Sequence, residues 1–353
     1  MNPGAWFAGR SAVIDISALL SAFTLGYLVK NTSKYKSVVS KSIDHYGYGY
    51  GQGNAIQRDS GGNNDKIPEI PEIPDCPYNY LLGIYGHNHF SHFVAMFHPT
   101  LKTEDPRKYA LILDIMDAVH LCLILVDDIC DNSSKRKNQT TAHLLYGSCE
   151  TANRAYFVLT KVINRAMKEH PVLGMELLRA LELILEGQDM SLVWRRDGLR
   201  AFNFQGDESL LTYKRMALLK TGTLFVLLGR LLNDGGNQLD DLLGRFGWYA
   251  QLQNDCKNVY SGEYATNKGT VAEDLRNREL SFPVVVALDD KLTESQMRKA
   301  FQSRNEGDID RALQALESPS VKNTCLKALQ EAGQGLDKLV AVWGRKEHMH
   351  STV

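Results

Sequence analysis

The chain has 353 residues, enough for one large domain or two ordinary ones, and with 44% hydrophobic residues it can bury a full core. Forty basic against forty-one acidic side chains leave it near neutrality, which removes any electrostatic case for a nucleic-acid partner. Six cysteines (Cys76, Cys122, Cys130, Cys149, Cys256, Cys325) show neither CxxC nor zinc-type spacing, so they read as reduced thiols of an intracellular protein; the cytoplasm is the expected compartment, with peroxisome or membrane association left open, since nothing in the chain fixes it.

Along the chain, the apolar stretch from Ser11 to Val29 is the first membrane candidate, but Asp15 interrupts it and Gly, Ser, Thr and Ala dilute it below what a span needs. Arg10 ahead of that run gives only weak support to a signal peptide. Residues from Tyr35 to Pro77 lack helical periodicity. They carry a Gly/Tyr alternation at Gly47, a Ser60-Gly-Gly-Asn-Asn run and the repeat Ile67-Pro-Glu-Ile-Pro-Glu-Ile-Pro, the composition of a linker with a stiffer, extended end.

From Tyr78 onward the apolar residues recur at period 3.6: Leu111 to Val126, Ala152 to Met167, Val172 to Trp194, Leu210 to Leu232, Leu239 to Val259 and Ser281 to Leu288, with further helices to the C-terminus. Alternating β-branched runs are almost absent. The sequence therefore divides into an N-terminal appendage with a flexible Gly/Pro-rich linker, residues 1–77, and an all-α bundle of ten or more helices, residues 78–353.

The run Asp127-Asp128-Ile129-Cys130-Asp131-Asn132 closes the first of these helices. Asp127 and Asp131 share a face at i, i+4, with Asp128 roughly 100° around, and like charges so placed repel by about a few tenths of a kcal/mol. Either water solvates this acidic end or a cation offsets it. Mg2+ suits a few carboxylates together with a phosphate-bearing substrate, because it keeps part of its water shell and bridges the two.

A second polar cluster interrupts a later helix at Gln251-Leu-Gln-Asn254-Asp255-Cys-Lys-Asn258, repeating the i, i+1, i+4 geometry with amides in place of two carboxylates. Two such clusters on separate helices favour a shared metal site, held more weakly by the second cluster, which carries one charge against three. Arg136 and Lys137, the run Lys220-Thr221-Gly222, and Lys268 supply cations suited to a polyphosphate. Each of them taken alone is an ordinary surface charge.

The stretch from Asp127 to Gly147, Gly187-Gln188 with Trp194-Arg195, the Lys220-Thr-Gly run, Gln251 to Asn258, Glu263-Tyr264, Asn267-Lys-Gly, Glu273-Asp-Leu and Ser281-Phe-Pro283 fall in register over Tyr78 to Leu288. In these motifs the sequence resembles the trans-isoprenyl diphosphate synthases, geranylgeranyl diphosphate synthases above all. The resemblance implies an isoprenoid synthase-type helical bundle with its active-site cavity in the bundle core, a homodimer, and ionisation of an allylic diphosphate with up to three Mg2+ ions. It assigns Asp127, Asp128 and Asp131 to metal, with Asn254, Asp255 and Asn258 completing that site. Arg136, Lys220, Thr221 and Lys268 would grip the allylic diphosphate, and Gln251 would lie near the developing cation.

The chain departs from that family where the second substrate, isopentenyl diphosphate, would bind. The Gly-Lys-x-x-Arg stretch becomes Gly86-His87-Asn88-His89-Phe90; His120 is kept, but the Arg pair is Arg136-Lys137. Losing two charge-assisted contacts, each worth roughly 1.5–3 kcal/mol, lowers affinity for isopentenyl diphosphate by roughly 100-fold or more. A family lysine before Ser281-Phe-Pro is replaced by Glu279, with Arg278 beside it to compensate.

The donor half is thus kept and the acceptor half rebuilt, which resembles the fungal indole-diterpene prenyltransferases. That resemblance implies transfer of geranylgeranyl from geranylgeranyl diphosphate to indole-3-glycerol phosphate, giving 3-geranylgeranylindole. His87, His89, His92, His120 and Lys137 then become candidates for the acceptor's phosphate, with Phe90 near the indole ring. Those histidines also read as an ordinary polar loop, and without a local Cys or carboxylate they do not read as a zinc site. Cys122 and Leu123, at the positions that set tunnel depth in the family, are not aromatic and admit a chain longer than C15.

Three rival readings remain: a plain geranylgeranyl diphosphate synthase, a class I terpene cyclase and a silent synthase subunit. The cyclase motif wants Glu eight residues after Asn254, where Gly262 stands; the silent subunit would be expected to lose the aspartates that this chain keeps. Ser351-Thr-Val is not a standard peroxisomal ending.

Overall fold

The computed structural model describes residues 75–202, 207–303 and 305–349. The Ser11 to Val29 stretch, nearly all of the Tyr35 to Pro77 linker and the C-terminal Ser351-Thr-Val lie outside the described residues.

The described chain begins with α1 (Pro77–Tyr85), α2 (Ser91–Phe97), α3 (Leu101–Glu104) and the long α4 (Pro106–Asp131). A two-residue hairpin follows, β1 (Lys135–Arg136) paired antiparallel with β2 (Gln139–Thr140), the only sheet among the described residues. Next come α5 (Ala142–Tyr146), α6 (Ser148–Glu169), α7 (Pro171–Asp197), α8 (Asp207–Ala217), a π turn (Leu218–Gly222), α9 (Thr223–Leu232) and α10 (Asp240–Tyr260). The chain closes with α11 (Gly262–Lys268), α12 (Glu273–Arg276), α13 (Phe282–Asp289), α14 (Glu294–Gln302), α15 (Glu306–Leu316), α16 (Pro319–Gly333) and α17 (Asp337–Met349).

Helix α4 is the axis of the bundle, and its sequence says where it starts and stops. The Asp105 carboxylate accepts from the Lys108 N–H at 2.9 Å, Pro106 fills the first turn, and Asn132 ends the helix in a left-handed conformation at φ 51°. Leu111, Ile112, Ile115, Met116, Val119, Leu121, Cys122 and Leu125 bury faces all round it, the pattern of a helix enclosed by neighbours. Helix α4 is also long and apolar enough to cross a membrane; here its apolar faces are covered by α1, α6 and α9.

Two apolar cores flank the polar centre. Phe90, Phe93, Phe225 and Phe246 anchor the one shared by α2, α4, α6, α7, α9 and α10; Trp194, Tyr213, Phe282 and Leu316 anchor the other, toward the C-terminus. The single helix expected from Leu210 to Leu232 is broken by the π turn at Leu218–Gly222, which carries Lys220 and Thr221. The apolar period runs through the break, so spacing alone does not reveal the wider turn, a feature that often sits at functional sites. Two glycines let other helices close on it. A Cβ on Gly187 of α7 would stand 2.6 Å from the Lys220 N, and one on Gly247 of α10 would stand 2.4 Å from the Gly222 Cα.

Candidate active site

The first aspartate run lies in the last turn of α4, where the carbonyl ends of the helix add negative potential to three carboxylates. Each carboxylate meets a cation from another element. Asp127 takes Lys220 Nζ at 3.2 Å, Asp128 takes Arg136 Nη2 at 2.5 Å and Nε at 3.0 Å, and Asp131 takes Arg195 Nη2 at 2.6 Å. Glu279 joins two of these cations, 3.3 Å from Arg195 and 3.7 Å from Lys220. A chain of alternating charge therefore runs Asp127, Lys220, Glu279, Arg195, Asp131.

The second cluster divides its labour. Asp255 is buried and takes the Gln251 Nε2 at 2.7 Å, the Phe282 N–H at 2.7 Å and the Tyr213 hydroxyl, so it ties α8, α10 and the start of α13 together with one acceptor direction left of about four. Asn258 Nδ2 donates to Asp274 at 3.1 Å. Asn254 is exposed and accepts the Tyr264 hydroxyl at 2.9 Å. The Thr221 hydroxyl bonds the Gln251 side-chain oxygen, so Thr221 orients Gln251 from the π turn. Lys268 is buried against Glu273 at 2.9 Å, within electrostatic reach of Asp127 and Asp274.

Seven carboxylates (Asp127, Asp128, Asp131, Asp255, Glu273, Asp274, Glu279) thus share four cations (Arg136, Arg195, Lys220, Lys268), a surplus of three negative charges. The protonation equilibria record the imbalance. Burial, then the charges of Asp127 and Glu279, push Asp131 up to about 7. Burial pushes Asp255 up to about 6, against the hydrogen bonds it accepts, and burial with Glu279 and Asp255 holds Asp274 well above the usual carboxylate range. Asp127 is half-buried, and there Lys220 and Arg136 keep its carboxyl below that range.

Among the described residues no three His, Cys, Asp or Glu side chains already stand as a metal-holding group, because the aspartates face cations instead. The donor set nonetheless fits a hard divalent ion: oxygen ligands only, a three-charge surplus, and two buried oxygens, Asp128 Oδ2 and Asn258 Oδ1, that accept no hydrogen bond. A divalent ion bound there would neutralise a departing diphosphate.

Beyond the first run the hairpin splits two neighbouring cations. Lys137 and Asn138 both take positive φ, 49° and 62°, the signature of a type I′ turn, and Asn138 N–H docks on the Asn267 carbonyl at 3.0 Å. Arg136 turns to Asp128, while the Lys137 ammonium lies 4.0 Å above the ring of Tyr85. On the same side, Asp117 of α4 accepts the N–H groups of Asn88 at 2.6 Å and His89 at 2.9 Å, fixing the Gly86–Phe90 loop against the helix. His89 stacks on His120 at 5.0 Å, and Phe90 meets the edge of His120 at 5.6 Å. Phe90 itself is wholly buried, while His87 and His92 are exposed. Cys122 and Leu123 part company: Cys122 is buried in the small core under α1, and Leu123 packs on the main core.

A model of the polyprenyl synthetase family matches residues 72–317. The chain belongs to this family. It is 77% identical to the prenyltransferase ltmC of Epichloe festucae var. lolii across the whole of both chains. It is 64% identical to the prenyltransferase idtC of Claviceps paspali, over 99% of each chain, and 57% identical to the prenyltransferase terC of Tolypocladium album, over 98% of this chain and 99% of that one. A polyprenyl synthase from Caulobacter crescentus, solved with calcium and isoprenyl diphosphate, shares the fold at a TM-score of 0.54 and 18% identity, covering 76% of this chain and 77% of its own. The protein is accordingly a prenyl-transferring enzyme with the all-α fold of the polyprenyl synthetases.

Sequence reasoning gave no role to Arg195, Asp274, Asp117, Tyr213 or Tyr85. Arg195 and Asp274 stand inside motifs that carry the resemblance, so a signal for them existed; nothing in the spacing marks Asp117 or Tyr85. Arg278, expected to compensate for Glu279, takes a positive φ of 60° and instead donates to the Ser303 carbonyl at 3.4 Å. Arg195 and Lys220 are the cations that meet Glu279.

Proposed function

We propose that the protein transfers a geranylgeranyl group from geranylgeranyl diphosphate to C3 of indole-3-glycerol phosphate, using Mg2+. The observation that carries this reading is the asymmetry about Arg136. Toward Asp127 the site has the metal-fitting oxygens and the cations that a departing diphosphate requires. On the other side, where a second diphosphate would need a lysine and an arginine, the chain has exposed His87, buried Phe90, and the rings of His89 and His120.

In this reading Lys220 and Arg136 hold the diphosphate oxygens as the allylic C–O bond breaks. Gln251, fixed by Thr221 and Asp255, presents its amide toward the cation. The indole C3 forms the new C–C bond. The glycerol phosphate side chain then leaves as an aldehyde once its hydroxyl loses a proton, the bonding pair restoring the aromatic ring. The polypeptide works as a homodimer in the cytoplasm, with residues 78–353 as the catalytic domain.

The test is incubation of purified protein with Mg2+ and geranylgeranyl diphosphate, offering indole-3-glycerol phosphate, isopentenyl diphosphate or no acceptor, with products read by mass spectrometry. A prenylated indole in the first tube alone is the expected result. An elongated diphosphate returns the chain to the elongating synthases, and a hydrocarbon without acceptor makes it a cyclase.

A further inference from the structure

Tyr85, the last residue of α1, makes contacts on both sides of Arg136. Its hydroxyl stands beside the Arg136 guanidinium, the same group that pairs with Asp128. Its ring meets His120 edge-on at 5.5 Å and 89°, and His89 edge-on at 5.8 Å and 77°. The Lys137 ammonium caps the ring at 4.0 Å from its centroid, well within cation–π range. Lys137 reaches that point from a backbone conformation that costs a non-glycine residue about 1–2 kcal/mol. The type I′ turn of the hairpin sets that conformation, and the turn delivers the ammonium to the aromatic face that also meets the two imidazoles.

We infer that Tyr85 is the acceptor-specificity residue: it partitions donor diphosphate from acceptor, walls the acceptor with an aromatic ring, and holds Lys137 for a single phosphate. This deepens the transfer reading proposed above and rests on it. The chemistry selects the class of acceptor. A diphosphate such as isopentenyl diphosphate would find one lysine and three rings on this side, whereas a flat aromatic carrying one phosphate can place its ring against Tyr85 and the two imidazoles and its phosphate on Lys137. An electron-rich phenol face also tolerates the allylic cation passing beside it.

The test uses the full-length protein and the variants Tyr85→Leu and Tyr85→Phe, with KM measured separately for geranylgeranyl diphosphate and indole-3-glycerol phosphate. Tyr85→Leu is expected to raise the KM for indole-3-glycerol phosphate at least tenfold and to leave the donor KM within twofold, while Tyr85→Phe restores the acceptor KM. Equal rises for both substrates, or no rise, would mean that Tyr85 only packs, and would overturn the inference. A second measurement needs no acceptor. With lysines reductively methylated with 13C, the Lys137 resonance should be shifted upfield by the ring in wild type and in Tyr85→Phe, and return to its unshifted position in Tyr85→Leu. An unshifted wild-type resonance overturns the inference on geometry alone. If the wild type ignores indole-3-glycerol phosphate while the ring shift is present, the functional reading fails. Indole and isopentenyl diphosphate as alternative acceptors then decide Tyr85: a Tyr85→Leu effect confined to indole keeps the inference, and one confined to isopentenyl diphosphate overturns it.

Discussion

On one side of Arg136, five carboxylates pair with four cations contributed by α4, the hairpin, α7, the π turn, α11, α12 and the segment ahead of α13, while Asp255 and Asp274 are held by hydrogen bonds. On the other side, Tyr85, His89, Phe90 and His120 meet through rings, and the loop that carries two of them hangs from a single aspartate. The charged half has little freedom to vary, because removing either member of an ion pair there leaves the other as an uncompensated, largely buried charge. The aromatic half has no such web. Rings exchange for other rings at a cost set by volume, so this is where a diphosphate-handling fold can change its second substrate while keeping its first.

The largest expected effect lies in the charged half. Asp127→Ala and Asp131→Ala should each reduce turnover by about a thousandfold or more with every acceptor, because the leaving group loses its neutralising ions. Chelation of divalent ions should do the same to the wild type and be reversed by Mg2+. Retained turnover in either aspartate variant would show that the chemistry lies elsewhere.

Next comes Gly247→Ala, which tests whether the charged half depends on the π turn. The added methyl would meet the Gly222 backbone at 2.4 Å, so α10 must move away from the turn that carries Lys220. Overpacking of this kind costs about 1–3 kcal/mol of stability, and displacement of Lys220 should lower kcat by about 10- to 100-fold. A variant with wild-type unfolding temperature and kcat would mean that the close approach is incidental.

The aromatic half yields a smaller effect. His87 is exposed and can be exchanged without disturbing the core, so His87→Lys should raise the use of isopentenyl diphosphate by about tenfold, the worth of one charge-assisted contact. Exchanging Phe90 for arginine is a poor probe, since it would drive a guanidinium into a wholly buried site among Phe93, Phe225 and His120. Should His87→Lys still ignore isopentenyl diphosphate, shape rather than charge closes that side.

The two halves were also unequally readable in the sequence. Acidic runs that interrupt apolar helices announce themselves by their cost, and so Asp127, Asp128, Asp131 and Asp255 could be named from spacing and composition. All-α character followed from a 3.6 period sustained over more than 200 residues. The division of labour inside the second cluster could not be read, because it depends on Tyr213 and the Phe282 N–H arriving from α8 and α13. Nor could the role of Asp117, a carboxylate in the middle of an apolar helix whose partners are two backbone N–H groups nearly thirty residues away. The π turn was invisible for a different reason: a one-residue widening leaves the apolar pattern intact.

Glu279 gives the finest test, because it places an acid among the cations of the charged half. Lys220 and Arg195 each divide their charge between Glu279 and an aspartate of α4. A donor diphosphate has to compete for both. Glu279→Gln removes one negative charge from a site with a surplus of three while keeping shape and an acceptor oxygen. At an effective dielectric near 20 and a separation of about 6 Å, one charge is worth roughly 2–3 kcal/mol before compensation by solvent and bound ions, and about 1 kcal/mol is expected to survive. The donor KM should therefore fall by about fivefold, with the acceptor KM unchanged, since the partners of Glu279 are Arg195 and Lys220 of the charged half. A rise in donor KM would reverse the assignment: Glu279 would then be helping to hold the ions that the diphosphate needs, rather than competing with it for Lys220 and Arg195.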